Sequence, residues 1–100
     1  MSDDQFSKIG KALADRRRFL ILEAIALADD MPCQRLRAAF PVTQPTMSHH
    51  LRELTAAGLV EPRREGQCMH YRYRSDVMAD YVAMLDDRLT LRPAAHKRAG

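Results

Sequence analysis

Side chains able to ligate a soft metal or act as nucleophiles are few in this sequence, and they lie far apart. Cys33 and Cys68 are the only thiols, His49 and His50 are adjacent, and His70 follows Cys68 by two residues. A closed zinc site takes four ligands and thiophilic arsenite about three, and no local motif gathers that many of these groups. No His-Glu-x-x-His occurs, no Gly-rich phosphate cradle, and no nucleophile beside a partnered base. The acid, base and oxyanion roles of an active site therefore have no carriers, and neither an enzyme nor a bound metal or cofactor is expected.

Positive charge is the other chemistry available. Lys and Arg number 16 against 13 Asp and Glu, a net +3. Residues 35–74 hold seven basic and three acidic side chains, while the flanking stretches are close to neutral. A basic middle fits a phosphate-backbone partner, and a solvated basic face would look much the same. The 100 residues, 46% hydrophobic and 29% charged, describe one globular domain. The apolar runs are too short to span a bilayer, and Met1-Ser-Asp-Asp4 is acidic where a secretory leader would be basic. No membrane partner is expected, the predicted location is the cytoplasm, and the two cysteines should stay reduced.

The elements that must position these groups follow from periodicity. Phe6, Ile9 and Leu13 predict a helix over 3–13, opened by Ser2 with Gln5 three residues on. After a bend near Asp15, Phe19, Leu22, Ile25 and Ala26 predict a second helix over 16–28. Asp30 is a candidate cap for a third, short helix over 31–40, with Pro32 in its first turn and Cys33, Leu36 and Phe40 on one face. Thr43 can cap a fourth, on which Met47, Leu51 and Leu54 repeat, and Gly58 closes it. Two helices joined by Pro41-Val42-Thr43 have the form of a helix-turn-helix.

Beyond Gly58 the period changes to two. Leu59 to Arg64 and Cys68 to Arg72 flank the turn Glu65-Gly66-Gln67, a two-stranded ribbon with Met69, Tyr71 and Tyr73 on one face and Cys68, His70 and Arg72 on the other. Pro62 is tolerable because such a ribbon is all edge. Ser75 opens a last helix over 76–90 with two apolar stripes, Val77/Tyr81/Met84 and Met78/Val82/Leu85/Leu89. One stripe suffices for a monomer, so the second points to a partner subunit. Residues 91–100 lack periodicity and read as a tail.

On the fourth helix the side opposite Met47, Leu51 and Leu54 carries Ser48, His49 and Arg52, with Gln44 and Thr46 in the first turn. In a major groove Arg52 could grip guanine or phosphate and the others reach base edges or phosphates; the plain alternative is a solvated face. His50 falls at the core edge. Arg63, Arg64 and Arg72 on the ribbon could follow phosphates or enter a minor groove, or merely aid solubility. Cys33 lies on an apolar stripe and is read first as packing. Cys68, near Arg64, is the better candidate thiol sensor, alone or with Cys33.

The runs Lys11-Ala-Leu-Ala-Asp15, Val42-Thr-Gln-Pro-Thr-Met-Ser-His-His-Leu51, Ala57-Gly-Leu-Val60 and Arg63-Arg-Glu-Gly66 resemble the ArsR/SmtB family of bacterial winged-helix repressors over about residues 5–90. The resemblance implies a homodimer, joined through its first and last helices, that binds an inverted-repeat operator in double-stranded DNA and is released by an effector. Two of the family's metal patterns are missing. The stretch matching its Cys-x-Cys has one thiol, Cys33, and the last helix, which in other members supplies histidine ligands, has no histidine. The effector is thus left unassigned. A thiol- or soft-metal-responsive repressor and a protein-interaction module that does not bind DNA are the alternatives. The expected fold is mainly α with a small β-hairpin: a winged helix-turn-helix of about five helices and a two-stranded wing. Residues 1–90 should form the DNA-binding and dimerisation domain.

Overall fold

The computed structural model describes residues 1–90, apart from the side chain of Thr90; the tail expected over 91–100 lies outside them. The elements run α1 (Asp3–Ala14), α2 (Arg16–Ala26), β1 (Met31–Pro32), α3 (Cys33–Ala39), α4 (Gln44–Ala56), β2 (Val60–Glu65), β3 (Cys68–Tyr73) and α5 (Ser75–Thr90). Side-chain caps set three of the helix starts. Ser2 accepts from the Gln5 amide at 3.1 Å, Asp15 from Arg18 at 2.9 Å and Thr43 from Thr46 at 3.3 Å, each meeting a donor that the first helical turn leaves unpaired.

The C-terminus of α4 is equally determined. Gly58 has φ +81°, and the amides of Gly58 and Leu59 bond the carbonyls of Thr55 and Leu54 at 2.9 and 3.0 Å. This is a Schellman ending, which needs a left-handed residue that glycine adopts without a Cβ penalty. It turns the chain directly into β2 and delivers Leu59 to the interior, where it is wholly buried. Gln5 in α1 donates to the last orphan carbonyl, that of Ala57, at 3.2 Å, so the first helix is pinned to the end of the fourth.

One core holds these pieces together. Ile9, Ile21, Ile25, Leu36, Leu54 and Leu59 are wholly buried, with Met47, Leu51 and Tyr81 beside them. Each large aliphatic side chain taken out of water contributes about 1.5–3 kcal/mol, so the inward row of α4 is fixed by burial while its outward row is free for other work.

Three expectations are corrected. The wing is a three-stranded antiparallel sheet in the order β1-β3-β2, not a two-stranded ribbon, because Met31 and Pro32 pair with Tyr71 and His70. Pro62 still sits on an edge strand, opposite Tyr71. The third helix begins at Cys33, not at 31; Pro32 is its N-cap, with no side-chain cap bond, and Asp30 is occupied elsewhere. On α2 the buried row is Arg18, Ile21, Leu22 and Ile25, whereas Phe19 is 45% exposed. The apolar count favoured Phe19, but an arginine whose head finds acceptors inside can occupy the inward stripe.

Candidate nucleic-acid interface

Burial of Met47, His50, Leu51 and Leu54 turns the other side of α4 to solvent. Gln44, Thr46, His49 and Arg52 are exposed and Ser48 is half-buried, so each residue of the predicted outer row reaches solvent, His49 and Arg52 directly opposite the core and Gln44 and Thr46 in the first turn. Thr46 is partly engaged in capping, since its hydroxyl accepts from that of Thr43 at 2.9 Å. Arg52 has no carboxylate partner among the described residues. A groove of about 670 Å³, lined by Ser48, Arg52, Thr55, Pro62 and Tyr71, separates α4 from the wing.

The predicted wing arginines differ in their availability. Arg63 donates to Asp30 and to Glu65, each at 2.7 Å, and Arg72 donates to Glu61 at 2.8 Å. Arg64 is exposed and without a carboxylate partner among the described residues. Arg74, at the end of the wing, donates to both oxygens of Asp76 at 2.9 and 3.0 Å and holds that carboxyl down to about 2. Among the described residues the wing therefore presents one cation without a carboxylate partner, Arg64, and several that would have to exchange a carboxylate for a phosphate.

Asp30 is the hub that sequence reading missed. It accepts from Arg63 and pairs with Nδ1 of His70 at 2.7 Å. Desolvation raises its carboxyl, but the hydrogen bonds and charges of Arg63 and His70 outweigh this and hold it below the usual range. Asp30, Glu65 and His70 have potential ligand atoms within 4.8 Å of one another. The Arg63 guanidinium bridges the two carboxylates, so a protein cation already supplies the charge that a metal ion would bring. The only signal in the sequence was an Asp-Asp pair ahead of a proline, which reads equally well as a helix stop.

The two cysteines do meet. Their sulfurs are 3.8 Å apart, and both residues are half-buried. Arg64, the cation expected beside Cys68, is not its ladder partner: Cys68 lies opposite Glu65, Arg64 lies opposite Met69, and Cys68 donates to Oε1 of Gln34 at 2.8 Å. Arg37 instead donates to Cys33 at 3.5 Å. Burial pushes the Cys33 thiol up, but the Met69 amide, Cys68 and Arg37 together hold it below the usual thiol range. Cys33 is half-buried outside the core cluster, with its sulfur against Cys68 and Arg37, and so is not simply a packing residue.

The remaining positioning pair is Arg18 and His50, both buried. Arg18 joins α2 to α4 through His50 and reaches the carbonyl of Lys11 at 3.4 Å. A run of three arginines gave no hint of which one turns inward.

Comparison with known proteins agrees with this geometry. A family described as helix-turn-helix domain matches residues 13–63. An arsenical resistance operon repressor of Staphylococcus aureus is 31% identical over 86% of this chain and 82% of its own length. An HTH-type transcriptional regulator of Mycobacterium tuberculosis is 35% identical over 82% of this chain, which spans only 36% of that relative. Among solved structures, a homodimeric winged helix-turn-helix DNA-binding domain of Mycobacterium bovis is 34% identical with a TM-score of 0.69, covering 84% of this chain and 83% of that one. The five helices and winged sheet of the described residues, with these relatives, show that the chain belongs to the ArsR/SmtB family of winged helix-turn-helix transcriptional regulators.

Proposed function

We propose that the protein is a transcriptional repressor that binds an inverted-repeat operator in double-stranded DNA as a homodimer, working in the cytoplasm without catalysing a reaction and without a bound cofactor. The observation that carries this reading is the row Gln44, Thr46, Ser48, His49 and Arg52 on the solvent side of α4, next to a wing bearing Arg63, Arg64 and Arg72. Placed in a major groove, α4 puts Arg52 and Gln44 at base edges and the small hydroxyls at phosphates, while Arg64 follows the backbone on the wing side. Residues 1–90 carry both DNA binding and dimerisation.

The dimer is supported by α5. Tyr81 is buried in the chain's own core, yet Val82 and Leu89 on the neighbouring stripe are 54% and 62% exposed. Apolar exposure of this kind on a terminal helix is relieved by a second copy, and the Mycobacterium bovis domain is described as homodimeric. A two-fold axis then sets operator half-sites about one helical turn apart.

Titration of the reduced protein against a duplex from its own upstream region, by fluorescence anisotropy at several salt concentrations, tests the reading. Affinity should exceed that for a scrambled duplex and fall steeply with salt. Equal affinity for both duplexes, or a monomer by equilibrium sedimentation at micromolar concentration, would overturn it and favour an interaction module.

A further inference from the structure

We propose that Cys33 and Cys68 form a dithiol modification site for hydroperoxides, in which Cys33 is the attacking nucleophile and Cys68 the resolving thiol, and that the resulting disulfide lowers operator affinity. The last clause rests on the repressor reading above; the chemistry does not.

The geometry assigns the two roles. Cys33 accepts from the Arg37 guanidinium and Cys68 donates its hydrogen to the Gln34 amide oxygen, so Cys33 is the sulfur placed to attack as a thiolate and Cys68 the one placed to follow. The thiolate attacks the terminal oxygen of a hydroperoxide: an S–O bond forms, the O–O bond breaks, and the departing alkoxide takes a proton to leave as an alcohol, or as water from hydrogen peroxide. Cys33 is then a sulfenic acid. The Cys68 sulfur, 3.8 Å away, attacks it; the S–S bond forms, the S–O bond breaks, and hydroxide leaves with the Cys68 proton as water. One peroxide is reduced and two thiols are oxidised.

Metal chelation is the weaker use of the same sulfurs. Two thiols fall short of the four ligands of a closed zinc site. Among the described residues the only cluster of three metal-ligating groups is Asp30, Glu65 and His70, which includes neither sulfur. The charged neighbour of Cys33 is itself a cation, which favours a thiolate and opposes a metal ion.

Cys33 is the first residue of α3 and Cys68 the first of β3, directly after the hairpin turn. A disulfide of about 2.05 Å draws the sulfurs about 1.8 Å closer and takes Cys68 away from Gln34. A cavity of about 160 Å³ between α3, α4 and β3 adjoins the site, lined by Cys33, Arg37, Gln44, Ser48 and Met69 among others. Gln44 and Ser48 belong to the proposed reading row, so a shift of α3 against β3 reaches the recognition helix and the wing at once.

The test uses the full reduced chain and hydrogen peroxide. Intact mass should fall by about 2 Da for the two hydrogens lost, with the peptides of Cys33 and Cys68 linked within one chain. In Cys68→Ser a 1,3-dione trap should label Cys33 as its sulfenic acid, and in Cys33→Ser the remaining thiol should survive the same exposure. Label on Cys68 in the wild type, a disulfide only between chains, or two intact thiols would each overturn the site. Operator affinity of the oxidised protein should drop about tenfold or more and return on reduction. Unchanged affinity after proven disulfide formation would overturn the coupling. Reduced protein that ignores the operator would sink the repressor reading instead, leaving the mass measurement to decide the chemistry.

Discussion

Arg18, in the first turn of α2, donates its Nε hydrogen to Nδ1 of His50 in α4 at 3.4 Å. Donation into Nδ1 requires that nitrogen to be bare, so His50 is neutral with its proton on Nε2, an assignment made from the hydrogen-bond pattern. The contact lies on the inward side of the recognition helix, between the core and the outer row. It joins α4 to the body of the domain by a directional bond as well as by apolar packing.

Arg18→Ala removes the donor and leaves His50 buried without it. A loss of about 1–3 kcal/mol of stability is expected, the cost of a buried polar group deprived of its partner. Urea denaturation of the variant beside the wild type measures this. A difference below about 0.5 kcal/mol, the range of ordinary surface substitutions, would show that the pair contributes packing only.

The same histidine predicts a pH dependence. Burial lowers the affinity of His50 for a proton; Asp15 opposes this and the charges of Arg18, His49 and Arg17 reinforce it. The folded chain therefore refuses a proton that the unfolded chain accepts below about pH 6.5. Stability should fall as pH drops through that region and level off below the folded-state value. His50→Gln should unfold with a shallower dependence between neutral and mildly acid pH; equal slopes would assign the effect to other groups.

Arg52→Ala should weaken operator binding by about 1–3 kcal/mol, roughly 5- to 150-fold, if its exposed guanidinium grips a base. The loss should be greater for the operator than for random duplex. A uniform loss across sequences would move Arg52 from reading bases to holding phosphate.

The wing arginines should separate in their salt dependence. Arg64 has no carboxylate partner among the described residues, so Arg64→Ala should lower the slope of log affinity against log salt by about one. Arg63 already shares its charge between Asp30 and Glu65, and Arg63→Ala should change the slope less. The reverse order would mean that DNA breaks the Asp30 contact on binding.

The two glycines with positive φ should differ in what they tolerate. Alanine at Gly58 incurs left-handed strain of about 1–2 kcal/mol and also sets its Cβ 2.8 Å from Nε2 of Gln5, which must then release the Ala57 carbonyl. At Gly66, φ +64°, nothing among the described residues lies within 4 Å, so Gly66→Ala meets the strain alone. Thermal unfolding should rank Gly58→Ala as the less stable variant, and equal midpoints would show that Gln5 yields without cost.

Local rules sufficed at several helix ends. Ser2 and Thr43 cap helices three residues ahead of the amides they bind, and Gly58 ends α4, because these bonds close within one turn; Asp15, legible only as a bend, proves to be a cap of the same kind. The row from Gln44 to Arg52 was legible for the same reason: Met47, Leu51 and Leu54 fix the buried side at a period of 3.6, and the outer side follows. What local rules could not reach were pairings between segments far apart in sequence. β1 exists only because β3 offers Met31 and Pro32 a ladder, and this draws Asp30 away from capping and onto Arg63 and His70. The β1–β3 pairing next to the start of α3 sets Cys33 beside Cys68 from 35 residues away, and the inward turn of Arg18 depends on acceptors in α1 and α4. Periodicity records which side of an element avoids water; which polar groups meet there depends on how the elements dock, and that was decided by the tertiary structure alone.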